Sequence, residues 1–188
     1  QSSNSIFLYG GQYELGSYAT SYIPTQGSAV TRVADTCSDA GNEQVFNDNE
    51  GVLYLELEGF QDTLANRYIK ISSPLNSFTD ALMLQFRTNG QLRVFFGTSA
   101  IVTLSSTFDF KENNKIAVQY DSINSSYKMF LNGVSVSSSS VTNQSVSGLS
   151  KLSFNYIDSS NSYVGNVKDV KYYNTTLIDA ELIALTQV

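Results

Sequence analysis

Glu56 and Glu58 are the residues whose spacing most invites a chemical reading, two apart at the end of Gly51-Val-Leu-Tyr-Leu-Glu-Leu-Glu58. On an alternating strand such a pair shares one face at about 6–7 Å. That lies within the ~5–9.5 Å that separates two carboxylates flanking a glycosidic bond. The same pattern also describes a solvated strand face, and that is the better reading of it. Composition closes other routes to catalysis. The 188 residues include no His and a single Cys, which removes Ser-His and Cys-His nucleophiles and His-based metal sites. Cys37 has neither a disulfide partner nor a base to activate it, and is read as inert. The chain is expected not to be an enzyme.

Binding fits the composition better. Sugar sites combine aromatic platforms with amide and carboxylate hydrogen-bonders. The non-core strand faces offer Tyr54, Glu56, Glu58, Gln85, Arg87, Arg93, Phe95, Lys115, Gln119 and Lys128. Tyr54, Glu56, Glu58, Arg87, Arg93 and Phe95 are the candidate ligand-binding residues among them, though alternation does not say whether they share one surface. Phe95 is an apolar ring on a polar face, which means a ligand platform, a partner interface or cover by a loop or neighbouring subunit. Asp121, Asp158 and Asn161 sit at strand ends or turns and offer oxygen atoms to Ca²⁺. No acidic loop of defined spacing supports that metal, and Asp and Asn favour turns anyway; no other cofactor is expected. Sequons at Asn124, Asn143 and Asn174 read as chance in a Ser- and Thr-rich chain. The net charge is −6 and the basic residues are dispersed, which speaks against nucleic acid. No run approaches the ~20 apolar residues of a membrane span, so membrane insertion is not expected. The N-terminus lacks the basic-then-apolar pattern of a secretion signal.

These side chains need strands to hold them, and the sequence supplies many short ones. Leu53, Leu55 and Leu57 point one way and Tyr54, Glu56 and Glu58 the other. Residues 67–72, 82–87, 91–96, 101–104, 115–121, 127–131, 134–136, 152–157 and 163–173 continue the pattern. Asn89-Gly90 and Asn132-Gly133 read as two-residue hairpin turns. Val167 and Val170 are three apart, which breaks alternation and predicts a bulge near Asp169. The stretch 137–147 reads as a polar loop. Ile178, Leu182 and Leu185 recur at helical spacing behind Asp179 and Glu181, so a short helix is expected there, packed on the strands or plugging one end. The fold class is all-β, a two-sheet antiparallel jelly-roll sandwich with a short C-terminal helix. Residues 51–188 form the sandwich. Residues 1–50 are an N-terminal strand and linker segment, either an edge strand of this sandwich or the end of an upstream module.

Two stretches carry a resemblance. Val118-Gln-Tyr-Asp121, Tyr127-Lys-Met-Phe-Leu-Asn-Gly133, Gly165-Asn-Val-Lys-Asp-Val-Lys-Tyr-Tyr-Asn174 and Asp179-Ala-Glu-Leu-Ile-Ala-Leu-Thr186 resemble the concanavalin A-like/laminin-G-like sandwich. In that family a strand ending in Asn-Gly is followed by a Gly-x-Ile/Val-x-Asp-Val strand and a closing helix. Ile178 stands where the family places Ser, leaving Asp179 as the expected N-cap. Sandwich hydrolases of this kind use a longer acidic motif than Tyr54-Leu-Glu-Leu-Glu58, and the related lyases need a His that this chain lacks. Gln12-Tyr-Glu-Leu-Gly-Ser-Tyr-Ala-Thr-Ser-Tyr-Ile-Pro-Thr25 with Ala29-Val-Thr-Arg-Val-Ala-Asp35 resembles a linker motif of phage tail and other virion proteins. The resemblance implies an attachment or structural module of a virion appendage. Its implied partners are a host polysaccharide or glycan, other virion subunits and further copies of itself. The alternatives are a purely structural decoration or subunit-contact domain, a bacterial surface adhesin at the cell surface, and a polysaccharide-cleaving enzyme.

Overall fold

Leucine at every second position commits the first strand, and the rest of the sandwich assembles around it. In the computed structural model the described residues are 11–13, 22–25, 27–31, 37, 39–59, 65–75, 77–104, 109, 111–139, 141–142, 144–158 and 160–188. In order these are β1 (Glu50–Gly59), β2 (Arg67–Ser72), a 3₁₀ turn (Phe78–Asp80), β3 (Ala81–Phe86), β4 (Leu92–Phe96) and β5 (Ser99–Thr103). There follow β6 (Asn113–Asp121), β7 (Ser126–Leu131), β8 (Val134–Ser139), β9 (Lys151–Ser153), β10 (Gly165–Tyr173) and α1 (Asp179–Thr186). Two compact units are present, Gln1–Thr36 and Cys37–Val188. In the first, the Ile23 amide donates to Gln12 Oε1 at 2.7 Å. The N-terminal strand expected ahead of the sandwich, read over residues 6–15, lies mostly outside the described residues.

The second unit is the sandwich. One antiparallel sheet runs β10-β1-β6-β7-β8 and the other β5-β4-β3-β2-β9. Leu53, Leu55 and Leu57 of the first sheet meet Ile69, Ile71, Leu82, Leu84, Val94 and Phe96 of the second in one buried cluster. Phe96 reaches across to Tyr120 and Tyr127, with ring centroids at 4.9 and 5.5 Å. Residues ahead of β1 also belong to this unit. Ala40 pairs with Leu152, and Phe46 joins the core edge-on to Tyr172 at 4.9 Å. Asn47 closes a ring of hydrogen bonds there: its amide donates to Tyr172 Oη at 2.9 Å, and Tyr120 Oη donates to its carbonyl. The two tyrosine hydroxyls lie 2.7 Å apart. A Cβ at Gly51 would sit 2.5 Å from Tyr172 Oη, so glycine is what lets the pair approach β1.

The turns show what the residue pattern did and did not specify. Asn132 and Gly133 both have positive φ and join Leu131 to Val134 as a two-residue loop. The Asn89-Gly90 hairpin differs, because only Gly90 has positive φ. The Arg87 amide donates to the Gln91 carbonyl at 2.9 Å, and the Gly90 amide returns to the Arg87 carbonyl at 3.0 Å. The expected bulge is present: β1 and β10 shift register as Glu56 pairs with Asp169 and Leu57 with Val167, leaving Lys168 extra. At the helix, Asp179 is not the cap. Its carboxylate pairs with Lys128 at 2.6 Å, while Glu181 reaches back to accept from the Ile178 amide at 2.9 Å. Strand limits also differ: β5 is Ser99–Thr103, β8 extends through Ser139, β9 stops at Ser153 and β10 starts at Gly165.

Burial of tyrosine gives the fold an alkaline limit. Desolvation and neighbouring Glu56 push Tyr54 up to about 12, and desolvation raises Tyr120 and Tyr163 as well. In the unfolded chain tyrosine titrates near 10, so that state releases its protons first. Stability therefore falls as pH climbs from about 10 toward 12. A urea midpoint that stays level across that range would contradict the burial of these hydroxyls.

Candidate functional site

The six candidate ligand-binding residues fall on two different surfaces. The inward side chains of both sheets share one core, so the outward faces point in opposite directions. Tyr54, Glu56 and Glu58 occupy the outward face of the first sheet, and Arg87, Arg93 and Phe95 that of the second.

On the first sheet the outward face is occupied by the protein itself. Val52, Ala117 and Phe130 are sealed by Leu182 of α1. Gln119 Oε1 accepts from the Leu177 amide at 2.8 Å, and Lys115 Nζ donates to the Gln187 carbonyl at 2.8 Å. Tyr54 is 2% exposed, capped by the Lys171 ammonium 4.9 Å from its ring centroid. Glu58 pairs with Lys168 at 3.1 Å, and Lys171 pairs with Asp169. Glu56 Oε1 accepts from Asn113 Nδ2 at 2.9 Å. That hydrogen bond holds the Glu56 carboxyl below its ordinary value. A glycosidase acid needs the opposite shift, so the pair reads as a charged strand face.

The second outward face is different. Cross-strand register sets Tyr68, Gln85, Arg93 and Thr103 in one row. The next row holds Ser153, Lys70, Met83, Phe95 and Ala100. Gln85 Nε2 donates to Tyr68 Oη at 2.8 Å, and Arg87 Nη1 donates to Gln91 Oε1 at 2.6 Å. The Arg93 guanidinium sits 5.7 Å from the Phe95 ring centroid. Its Nε is buried with no hydrogen-bond partner. Among the described residues neither Arg87 nor Arg93 has a carboxylate partner. A guanidinium matches a carboxylate through paired hydrogen bonds.

Two walls bound this face, and one of them is the local cover that is among the readings open for Phe95. Phe78 of the 3₁₀ turn stands edge-on to Phe95 at 5.5 Å, so the odd aromatic is partly covered by a local turn. On the other side, residues after β9 fold over β2, with Tyr156 4.5 Å from Tyr68. Lys70 holds that wall. It is 1% exposed and donates to Asn155 Oδ1 at 2.8 Å and to the Asn155 and Tyr156 carbonyls at 3.1 and 3.2 Å. Desolvation lowers its pKa, with Asp39 and Asp158 acting against that. Strand parity puts Lys70 beside Tyr68, but no local pattern marks a covering segment more than eighty residues away, as the separation of 85 shows.

The oxygen groups considered for Ca²⁺ are not brought together. Asp121 accepts from the Asn124 amide and side chain at 2.9 and 2.7 Å in the β6–β7 turn. Asp158 accepts from Ser160 in the segment after β9. Among the described residues no cluster of three or more acidic, His or Cys side chains could hold a metal, and no helix is long and apolar enough to cross a membrane.

No protein-family model matches the sequence, and no curated protein matches it. Solved structures do match in fold. The CBM40 of the Ruminococcus gnavus IT-sialidase, bound to α2,3-sialyllactose, aligns over 81% of this chain and 94% of its own at TM-score 0.64 and 15% identity. A leech intramolecular trans-sialidase aligns over 82% of this chain at TM-score 0.61 and 16% identity, and the match spans 27% of its length. A SAP-like pentraxin from Limulus polyphemus aligns over 79% of this chain and 73% of its own, at TM-score 0.58 and 9% identity. Identities this low establish architecture alone, and the architecture is a two-sheet antiparallel jelly-roll sandwich like that of the CBM40.

Proposed function

We propose that this sandwich is a non-catalytic module that binds an acidic glycan through the Arg93 face. One observation carries the reading: among the described residues neither Arg87 nor Arg93 has a carboxylate partner, and Arg93 stands beside the Phe95 ring, in a chain of net charge −6. A sugar carboxylate would supply the missing anion, and the half-buried Phe95 ring would offer an aromatic contact to the sugar. The fold of a carbohydrate-binding module holding sialyllactose supports the same ligand class. Absence of His and the downshifted Glu56 support a role without bond cleavage.

The setting we propose is a phage tail or other virion appendage, in several copies and in contact with other subunits of that structure. The linker-like motif of residues 12–25 and 29–35 supports it. Host cell-surface polysaccharide is then the ligand in place, and display in several copies strengthens weak individual contacts.

Titration with α2,3-sialyllactose and with lactose tests the reading. The sialylated sugar is expected to bind, and Arg93→Ala to weaken it by about tenfold or more, the usual worth of a charge-assisted hydrogen bond. Equal affinity for both sugars, untouched by Arg93→Ala, would sink the proposal. Steady reducing-sugar release from acidic polysaccharide would sink its non-catalytic half.

A further inference from the structure

A second concavity lies away from the Arg93 face, along the loop that leads into β1. It encloses about 480 Å³ between residues 43–49, Gly148, Leu149 and Asn174. A smaller hollow of about 270 Å³ adjoins it, sharing Glu43 and Gln44. The larger volume falls within the ~300–1,000 Å³ of small-molecule sites.

The loop is held from both sides, so the cleft exists before any ligand arrives. Phe46 is buried against Tyr172. Asp48 accepts from the Gly148 and Leu149 amides, each at 2.8 Å. Asn47 Nδ2 donates to the Asn174 carbonyl at 2.9 Å, and the Asn49 carbonyl accepts from the Ser122 amide at 2.8 Å. Binding therefore does not require the loop to be ordered first, which is where much affinity is usually lost.

What this scaffold leaves uncommitted has a definite chemistry. Glu43, Gln44, Asn49 and Asn174 are among the residues that line the cleft, and no described residue hydrogen-bonds to their side chains. Carboxylate and amide groups are the donors and acceptors that match sugar hydroxyls, and Val45 supplies an apolar contact beside them. No lysine or arginine lines the larger cleft, while Glu43 and Asp48 do. That electrostatic sign repels the acidic sugar for which the Arg93 face is suited.

We infer that this cleft is a separate subsite for a neutral saccharide, so that one domain reads an uncharged and an acidic sugar at different places. The inference stands apart from the Arg93 reading, because none of its residues is shared with that face.

Amide-resolved NMR titration of the full chain with neutral disaccharides (lactose, maltose and cellobiose) decides it. At least one is expected to give saturable shifts confined to residues 43–49, 148, 149 and 174. The exposed double substitution Gln44→Ala with Asn174→Ala is expected to weaken those shifts about tenfold, and Arg93→Ala to leave them unchanged. The inference is overturned if no neutral disaccharide shifts these amides, or if the double variant binds like the parent. It is also overturned if Ca²⁺ alone saturates the cleft while sugars do not. Absence of sialyllactose shifts around residues 85–95 in the parent chain would count against the acidic-glycan site alone.

Discussion

Phe96→Ala is expected to lower the unfolding free energy by about 3–5 kcal/mol, the usual loss when a buried aromatic is cut back in a core. Phe96 is fully buried on β4 and packs between Tyr120 and Tyr127, which belong to the opposite sheet. Truncation leaves a void that Tyr120 cannot fill, because its hydroxyl is tied to Asn47 and Tyr172. A domain of this size has only about 5–15 kcal/mol to lose. Urea denaturation followed by tyrosine fluorescence measures the change, and Phe96→Leu, which refills part of the space, should recover some of it. A loss below about 1 kcal/mol would mean that Phe96 does not bridge the two sheets.

The second large effect is expected at Lys70, where stability and binding are coupled. Lys70→Ala removes a buried aliphatic stem and strands the Asn155 and Tyr156 carbonyls that its ammonium holds. Fully buried acceptors left unsatisfied cost about 1–3 kcal/mol; these two are part-buried, so the lower end is expected, and the lost stem adds to that. Lys70→Met keeps the stem and relieves the desolvation that lowers the lysine's pKa, so it should cost less than alanine. Both variants release the Tyr156 wall from β2. Faster hydrogen exchange at residues 154–163 in both, with the alanine variant the less stable, is the expected pattern. Unchanged exchange in the methionine variant would show that Tyr156 stacking on Tyr68 holds the wall without the lysine.

Local pattern carried most of the architecture. Leu53, Leu55 and Leu57 fixed which face of β1 meets the opposite sheet, and Val167 and Val170 located the bulge at Lys168, because both depend only on neighbours along the chain. Ten strands and the closing helix followed from such signals. The site was legible only in part. Alternation shows that Tyr54 and Phe95 point away from a core, but not that their sheets face opposite ways or that Lys171 covers one of them. Gln119 and Lys128 likewise read as free polar groups, and they turn out to seat α1. The 3₁₀ turn that sets Phe78 against Phe95 carries no apolar period, and Ser77 caps it through contacts only two residues long. Each of these depends on segments distant in sequence or too short for a repeat, which is where reading from a chain alone stops.

The bulge in β10 has a further consequence. That strand is the outer member of its sheet, so its free backbone groups form a rim on which another extended chain could align. Lys168 interrupts that rim, and Lys168 and Lys171 line it with charge that is partly open to water. A kinked, charged border is a poor template for zipping one sheet onto the next. Copies crowded side by side can therefore stay separate solutes instead of fusing into fibrils.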